Sequence, residues 1–300
     1  MAAAVAAIAT HSNSAGHVAA SQTSQLCRPG DRMVRFSVNG KQREALLHVP
    51  RGARARLPLL LAFHGAHYGA RFVSTYYGLN PVADREHFAV LYPQASHDTF
   101  WQLSPTQHED VDAVRALLDR AETWGCIDAS RVYATGASNG GGFTARLGCE
   151  LTDRLAAIAP VAGGYSPLGA CHPSRPLPVL EIHGTSDQVV PYGGKGPDHD
   201  GSVAQFLGQW TELDACRGAA RRSTPSHAVT LLSWVDCAGG SVVEHLRLAG
   251  TDHGWPGGDT AAAGLRSHPI PKHNPTGVNA AKPVWSFLSR FRLPSGPGEA

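Results

Sequence analysis

Arg131-Val-Tyr-Ala-Thr-Gly-Ala-Ser138-Asn-Gly-Gly-Gly142 is the stretch around which the chain is organised. Its first five residues, β-branched and aromatic among them, read as a short strand. Gly136-Ala-Ser138-Asn-Gly140 then turns into an apolar helix over Gly141 to Leu151. G-x-S-x-G between a strand and a helix is the setting of a nucleophile elbow, in which small flanking residues let strand and helix approach and lift the serine hydroxyl above the sheet. Alone, the pentapeptide is weak, because Ser138 reads equally well as a helix N-cap beside packing glycines. Its weight depends on partners elsewhere.

Working outward, strands and helices alternate. Met33–Val38 and Glu44–Val49 are alternating runs joined through Asn39-Gly40, the strongest short hairpin signal. Leu57–Phe63 is a near-continuous apolar run that suits a strand buried on both faces. Phe88–Tyr92 is a second such strand, with a helix expected over Tyr76–Glu86 between the two. Glu109–Trp124 carries a helical apolar stripe, with acidic residues in the first turn and Arg120 near the end, both favourable to the helix dipole. Further strands are predicted at Ala156–Val161, Pro178–His183, Val229–Val235 and Ser241–Leu248, and helices at Val203–Leu213 and Lys282–Phe291. The pattern predicts an α/β fold, a mostly parallel central sheet flanked by helices with an N-terminal antiparallel hairpin. With no internal repeat or mid-chain linker, one domain over 27–293 is expected between a disordered tail or degenerate signal segment at 1–26 and a tail at 294–300.

Composition narrows the function classes. Apolar residues make up 42% of 300 and charged residues 17%, enough for a substantial core. A net charge of +2 without a basic cluster gives no case for nucleic acid or an anionic membrane. No run reaches the ~20 apolar residues of a membrane span. The sixteen histidines show no metal-ligand spacing, so no metal is expected. Six cysteines without a C-x-x-C pair argue against zinc; in an exported protein they allow up to three disulfides, with buried free thiols as the alternative. Cys216 with Cys237 is the preferred pair; closing about twenty residues, such a bridge stabilises by roughly 3 kcal/mol. Met1–Ala9 is apolar but lacks the basic start of a signal peptide.

In a parallel sheet, active residues gather beyond the carboxyl ends of the strands. Three polar signatures stand there in the order serine, acid, histidine: Ser138, Asp187 in His183-Gly-Thr-Ser-Asp187, and His253 in Thr251-Asp-His253-Gly-Trp-Pro-Gly257. A serine hydroxyl is a poor nucleophile near neutrality and needs a base within hydrogen-bond reach. His253 is placed as that base and Asp187 as the group orienting it, with Asp252 and Asp200 as rival acids. The backbone N–H groups of Asn139 and Ala66, the latter after His64-Gly65, are the candidate oxyanion donors. Trp101 and Trp255 are candidate substrate contacts through stacking, although Trp101 reads equally as loop packing.

Cys126-Ile-Asp-Ala-Ser-Arg-Val-Tyr-Ala-Thr-Gly-Ala-Ser-Asn-Gly-Gly, Ala156-Ala-Ile-Ala-Pro-Val-Ala-Gly-Gly164, His183-Gly-Thr-Ser-Asp187 and His253-Gly-Trp-Pro-Gly257 resemble the esterases of the polyhydroxybutyrate depolymerase, feruloyl esterase and acetylxylan esterase group, over roughly Cys27 to Phe291. The resemblance implies an α/β-hydrolase fold and a cofactor-free serine ester hydrolase, usually secreted. It also implies a Ser138–Asp187–His253 triad, Trp255 at the acyl site, and hydroxyalkanoate, feruloyl or acetyl esters as substrates. The histidine loop departs from the family's usual Gly-Gly-His-Thr-Trp-Pro-Gly at Asp252 and Gly254. A peptidase or acyltransferase on the same fold, or a non-catalytic polysaccharide or polyester binder, are the alternatives. The sequence gives no oligomeric state.

Overall fold

A computed structural model describes residues 26–52, 56–96, 99–165, 171–195, 201–259, 261 and 273–294. The expectations for residues 1–25, Asp200 and 295–300 fall outside them. Asn39 and Gly40 both take positive φ, 51° and 76°, and turn β1 (Gly30–Val38) back onto β2 (Lys41–Val49) in antiparallel register. This is the hairpin geometry that Asn-Gly favours. β3 (Leu57–Phe63) and β4 (Ala89–Pro93) are buried throughout, as continuous apolar runs require.

β5 (Ile127–Ala137), β6 (Ala157–Val161), β7 (Val179–Gly184), β8 (Arg221–Ser226), β9 (Val229–Trp234) and β10 (Val243–Leu248) complete a ten-stranded sheet of order β1-β2-β4-β3-β5-β6-β7-β10-β9-β8. Its six central strands, β4 to β10 in that order, pair in parallel, and both edges are antiparallel. The α/β-hydrolase architecture expected from the sequence is present, with an added antiparallel edge. β8 was not expected: every residue in Arg221–Ser226 is exposed and Pro225 lies within it. It forms because β9 offers a free edge, and charge and proline are tolerated on a terminal strand.

Helices cover both faces. α1 (Ala70–Tyr76), α2 (Leu79–Glu86) and α6 (Ala281–Leu288) contribute to one apolar core, through Val73, Val82 and Trp285 among others. α3 (Glu109–Glu122), α4 (Asn139–Glu150) and α5 (Val203–Leu213) close the other, through Leu117, Phe143 and Trp210. The helix expected over Tyr76–Glu86 begins only at Leu79, because Gly78, with φ 65°, separates it from α1, which ends at Tyr76. α1 escaped the sequence reading because Phe72, Val73, Thr75 and Tyr76 are poor helix formers whose packing overrides propensity.

All six cysteines are paired: Cys27–Cys126, Cys149–Cys171 and the expected Cys216–Cys237. Cys149 lies near the end of α4, so that bridge ties the helix following Ser138 to the loop after β6.

Candidate active site

β5 ends at Ala137 and α4 begins at Asn139, leaving Ser138 as the one-residue hinge, at φ 59° and ψ −124°. A non-glycine residue there is strained and persists only where the surroundings over-determine it. The surroundings do so. Ser138 N–H donates to Val161 O at 3.0 Å, and Ser138 O accepts from Gly142 N–H at 3.0 Å and Gly164 N–H at 3.3 Å. Close approach is what the glycines supply: a Cβ on Gly136 would sit 2.5 Å from Gly140 O, and one on Gly140 would reach 2.5 Å from His64 O. No side chain larger than hydrogen fits at either position.

Three distant residues meet at this hinge. Ser138 Oγ–H donates to His253 Nε2 at 2.8 Å, and His253 Nδ1–H donates to Asp187 Oδ2 at 2.8 Å. Each stands past a strand end, after β5, β7 and β10. Asp187 is 3% exposed, and its Oδ1 accepts the Val189 and Val190 N–H groups at 2.9 and 2.8 Å. Burial alone would raise its carboxyl, but hydrogen bonds from His183 and His253 outweigh burial and hold it well below the usual carboxylate range. His253 Nδ1 is paired with Asp187 rather than with the rival Asp252, whose backbone N–H donates to His273 O.

The turn after β3 faces the hinge. A Cβ on Gly65 would lie 3.5 Å from Ser138 Cβ, and Ala66 lines the same cleft as Ser138. The N–H groups of Ala66 and Asn139 have no acceptor among the described residues, as donors awaiting a substrate oxygen would. His64 braces the turn from beneath. Its Nε2 accepts Ala95 N–H at 3.2 Å, which leaves Nδ1–H to donate to Gly65 O at 2.9 Å. Burial pushes its pKa down to about 4 and keeps it in that neutral form. Tyr77 locks the two strand ends together: its hydroxyl donates to Phe63 O at 2.9 Å and accepts Ala137 N–H at 3.1 Å.

The cleft holds about 190 Å³ and is walled by Tyr68, Phe72, Tyr76, Tyr77, Trp255 and Val189. Tyr68, Phe72 and Tyr76 stack in sequence at 4.3 and 5.1 Å, and Trp255 stacks on Tyr77 at 4.1 Å. Trp255 thus lines the same cleft as Ser138. Trp101 is 3% exposed, stacks on Phe143 at 4.8 Å and is not among the residues lining this cleft. Its backbone N–H donates to Asn139 Oδ1 at 2.7 Å, and Asn139 Nδ2 donates back to Trp101 O at 3.1 Å. These two bonds tie Trp101 to the start of α4. Tyr77, the Asn139 side chain and the α1 aromatics escaped sequence reading because no periodicity or motif marks them.

Behind Asp187 lies a second buried layer, also unforeseen. His183 Nε2 is 3.2 Å from Asp187 Oδ2, and its Nδ1 is 2.9 Å from Glu181 Oε1. Glu181, fully buried, also accepts the Tyr165 hydroxyl at 2.9 Å.

The chain is similar to known esterases. A family model described as Esterase PHB depolymerase matches residues 43–189. A bifunctional acetylxylan esterase/xylanase, XynS20E of Neocallimastix patriciarum, is 29% identical over 71% of this chain and 31% of its own, so the chain spans about a third of that relative. A putative esterase, NocK of Nocardia uniformis subsp. tsuyamanensis, is 31% identical over 74% of this chain and 73% of its own length. Among solved structures, an acetyl xylan esterase from Aspergillus awamori superposes with a TM-score of 0.58 at 15% identity, covering 78% of this chain and 99% of that one, a likeness of fold. With the family model and a relative matched over most of its length agreeing, the chain belongs to the Esterase PHB depolymerase family.

Proposed function

We propose that the protein is a secreted serine ester hydrolase working through an acyl-enzyme, carried by one catalytic domain over 27–293. The continuous hydrogen-bond chain from Ser138 through His253 to Asp187 carries the proposal. In the first half-reaction His253 Nε2 takes the Ser138 proton as Oγ attacks the ester carbonyl carbon, and then returns it to the departing alkoxide, which leaves as the alcohol. In the second, His253 deprotonates a water that attacks the acyl carbon, and Ser138 is released with its proton restored. Asp187 holds His253 in the Nδ1–H tautomer and stabilises its imidazolium form. Ala66 and Asn139 N–H groups receive the oxyanion; one such donor is worth about 3 kcal/mol in the barrier.

An aromatic-walled cleft of about 190 Å³ suits a small acyl group, and the similarity to acetylxylan esterases and the family as a whole supports hydroxyalkanoate, feruloyl or acetyl esters. Three disulfides among the described residues support an oxidising, extracellular setting, and no described helix is long and apolar enough to cross a membrane. Replacing Ser138 by Ala removes the nucleophile and leaves the oxyanion donors. Hydrolysis of p-nitrophenyl acetate is expected to fall by about 10⁴-fold or more with the Tm retained; a Ser138→Ala variant of undiminished activity overturns the assignment.

A further inference from the structure

β7 and β10 run parallel, and their register sets Glu181 beside His245 and His183 beside Arg247. Glu181, His183 and His245 are each at most 1% exposed. Isolated charges at such depth are prohibitive, so each must be matched by a partner. His183 shows how. Its Nδ1 faces the Glu181 carboxylate at 2.9 Å, while its Nε2 faces Val190 O at 2.9 Å and the Asp187 carboxylate at 3.2 Å. Every one of those neighbours is an acceptor, so both ring nitrogens must carry protons and His183 is an imidazolium. Burial would lower its pKa, but the hydrogen bonds to Asp187 and Glu181 push it up to about 10.

Glu181 is the counter-charge. Burial would raise its carboxyl, but neighbouring His245 and the hydrogen bond from His183 hold it at about 2. His245 Nδ1 stands 2.6 Å from Glu181 Oε2, and its Nε2 is 2.7 Å from the Tyr192 hydroxyl, with Arg247 5.9 Å from the Tyr192 ring. Tyr165 donates from the loop after β6. These groups, with His253, are the titratable and charged neighbours of Asp187 and the His183–Glu181 pair.

We propose that Glu181 and His183 form a positioning unit behind the triad, which fixes the charge and direction of the Asp187 carboxylate and thereby the acidity at which His253 becomes a free base. The inference rests on Asp187 and His253 acting as proposed above. His183 shares Oδ2, the same oxygen that receives His253 Nδ1–H, so its positive charge draws on the carboxylate that would otherwise serve His253 alone. Glu181 keeps His183 charged. Because His183 is the nearer of the pair to His253, removing both charges leaves Asp187 a stronger partner for the imidazolium. His253 then holds its proton to higher pH.

The test is the paired replacement Glu181→Gln with His183→Gln, which removes both charges at once and leaves an amide beside His245. On p-nitrophenyl acetate the folded variant is expected to show kcat/KM lower by about tenfold, with the acid limb of its pH profile moved upward by roughly half a pH unit or more. A merely structural pair would move Tm and leave that limb in place; a folded variant with the parental limb overturns the proposal. His183→Gln alone leaves the Glu181 carboxylate with only His245 and Tyr165 and is expected to be less stable than the pair. A measurement on the unaltered protein guards against variants that do not fold: in ¹⁵N-histidine-labelled enzyme, His183 should show imidazolium nitrogen shifts at pH 8, and a neutral ring at that pH overturns the proposal. Neither outcome touches the nucleophile, whose failure would appear only in Ser138→Ala.

Discussion

Strands β3 and β7 are both buried from end to end, but one is Leu-Pro-Leu-Leu-Leu-Ala-Phe and the other Val-Leu-Glu-Ile-His-Gly. In β3 each side chain gains by leaving water, and the strand's task is to present the turn at Gly65 and Ala66. In β7 two ionisable groups are taken out of water, which costs far more than a leucine at either position unless hydrogen bonds and opposite charges compensate. Tyr165, His183 and His245 supply that compensation around Glu181. The two strands show a division within one sheet: β3 supplies stability, while β7 spends some of it to place charge beneath Asp187.

The contrast breaks most sharply at Asp187. In Asp187→Asn the amide oxygen stays with the Val189 and Val190 N–H groups, which turns the NH₂ group toward His253 Nδ1. Two donors would then face each other, so His253 switches to its Nε2–H tautomer and can no longer accept the Ser138 proton. The expected loss in kcat is about 10⁴-fold with little change in KM, measured by steady-state hydrolysis of a p-nitrophenyl ester. A loss under tenfold would mean that Asp187 does not orient the base.

Leu61→Ala probes the other strand. Leu61 is fully buried and pairs in register with Leu91 and Ala134. Its truncation is expected to cost about 3 kcal/mol of stability through lost burial and the cavity left behind. Thermal unfolding should show a Tm lower by several degrees, with the acid limb of the pH profile unmoved at a temperature where the variant is folded. A shifted limb would mean that β3 also tunes the site, and the division between the strands would fail.

The same two strands mark how far the sequence could be read. β3 was legible because seven consecutive residues suited to burial admit little else, and the hairpin because Asn39-Gly40 names its turn. Ser138, Asp187 and His253 were legible as candidates since each follows a strand and the order matches a known arrangement. The layer behind Asp187 was not. His245 lies 64 residues from Glu181, and only the parallel register of β7 and β10 makes them neighbours. Trp101, in an aperiodic loop, gave no sign that its indole packs on Phe143 and its backbone on Asn139. Long-range pairing and loop packing are properties of the folded chain, and a local motif cannot carry them.

The smallest expected effect separates the strands by pH. His183 has its folded pKa raised to about 10 from 6.5, so its stabilisation is complete below pH 6.5 and is lost as pH rises toward 10. Glu181, lowered to about 2 from 4.5, works in the opposite sense: its contribution is complete above pH 4.5 and is lost as pH falls toward 2. Asp214 complicates the acid side, because burial raises its carboxyl to about 6 and its ionisation destabilises the fold across pH 4 to 6. The alkaline branch is therefore the cleaner one, and the buried tyrosines Tyr77 and Tyr92, also raised by burial, enter only above pH 10. Between pH 7 and 9.5 the Tm is expected to fall by a few degrees in the parent and in Leu61→Ala alike. In the Glu181→Gln, His183→Gln pair, which has no imidazolium to lose, that decline should flatten. Parallel slopes in all three proteins would locate the alkaline loss outside β7, and the strand would then hold its charges without any linkage to folding.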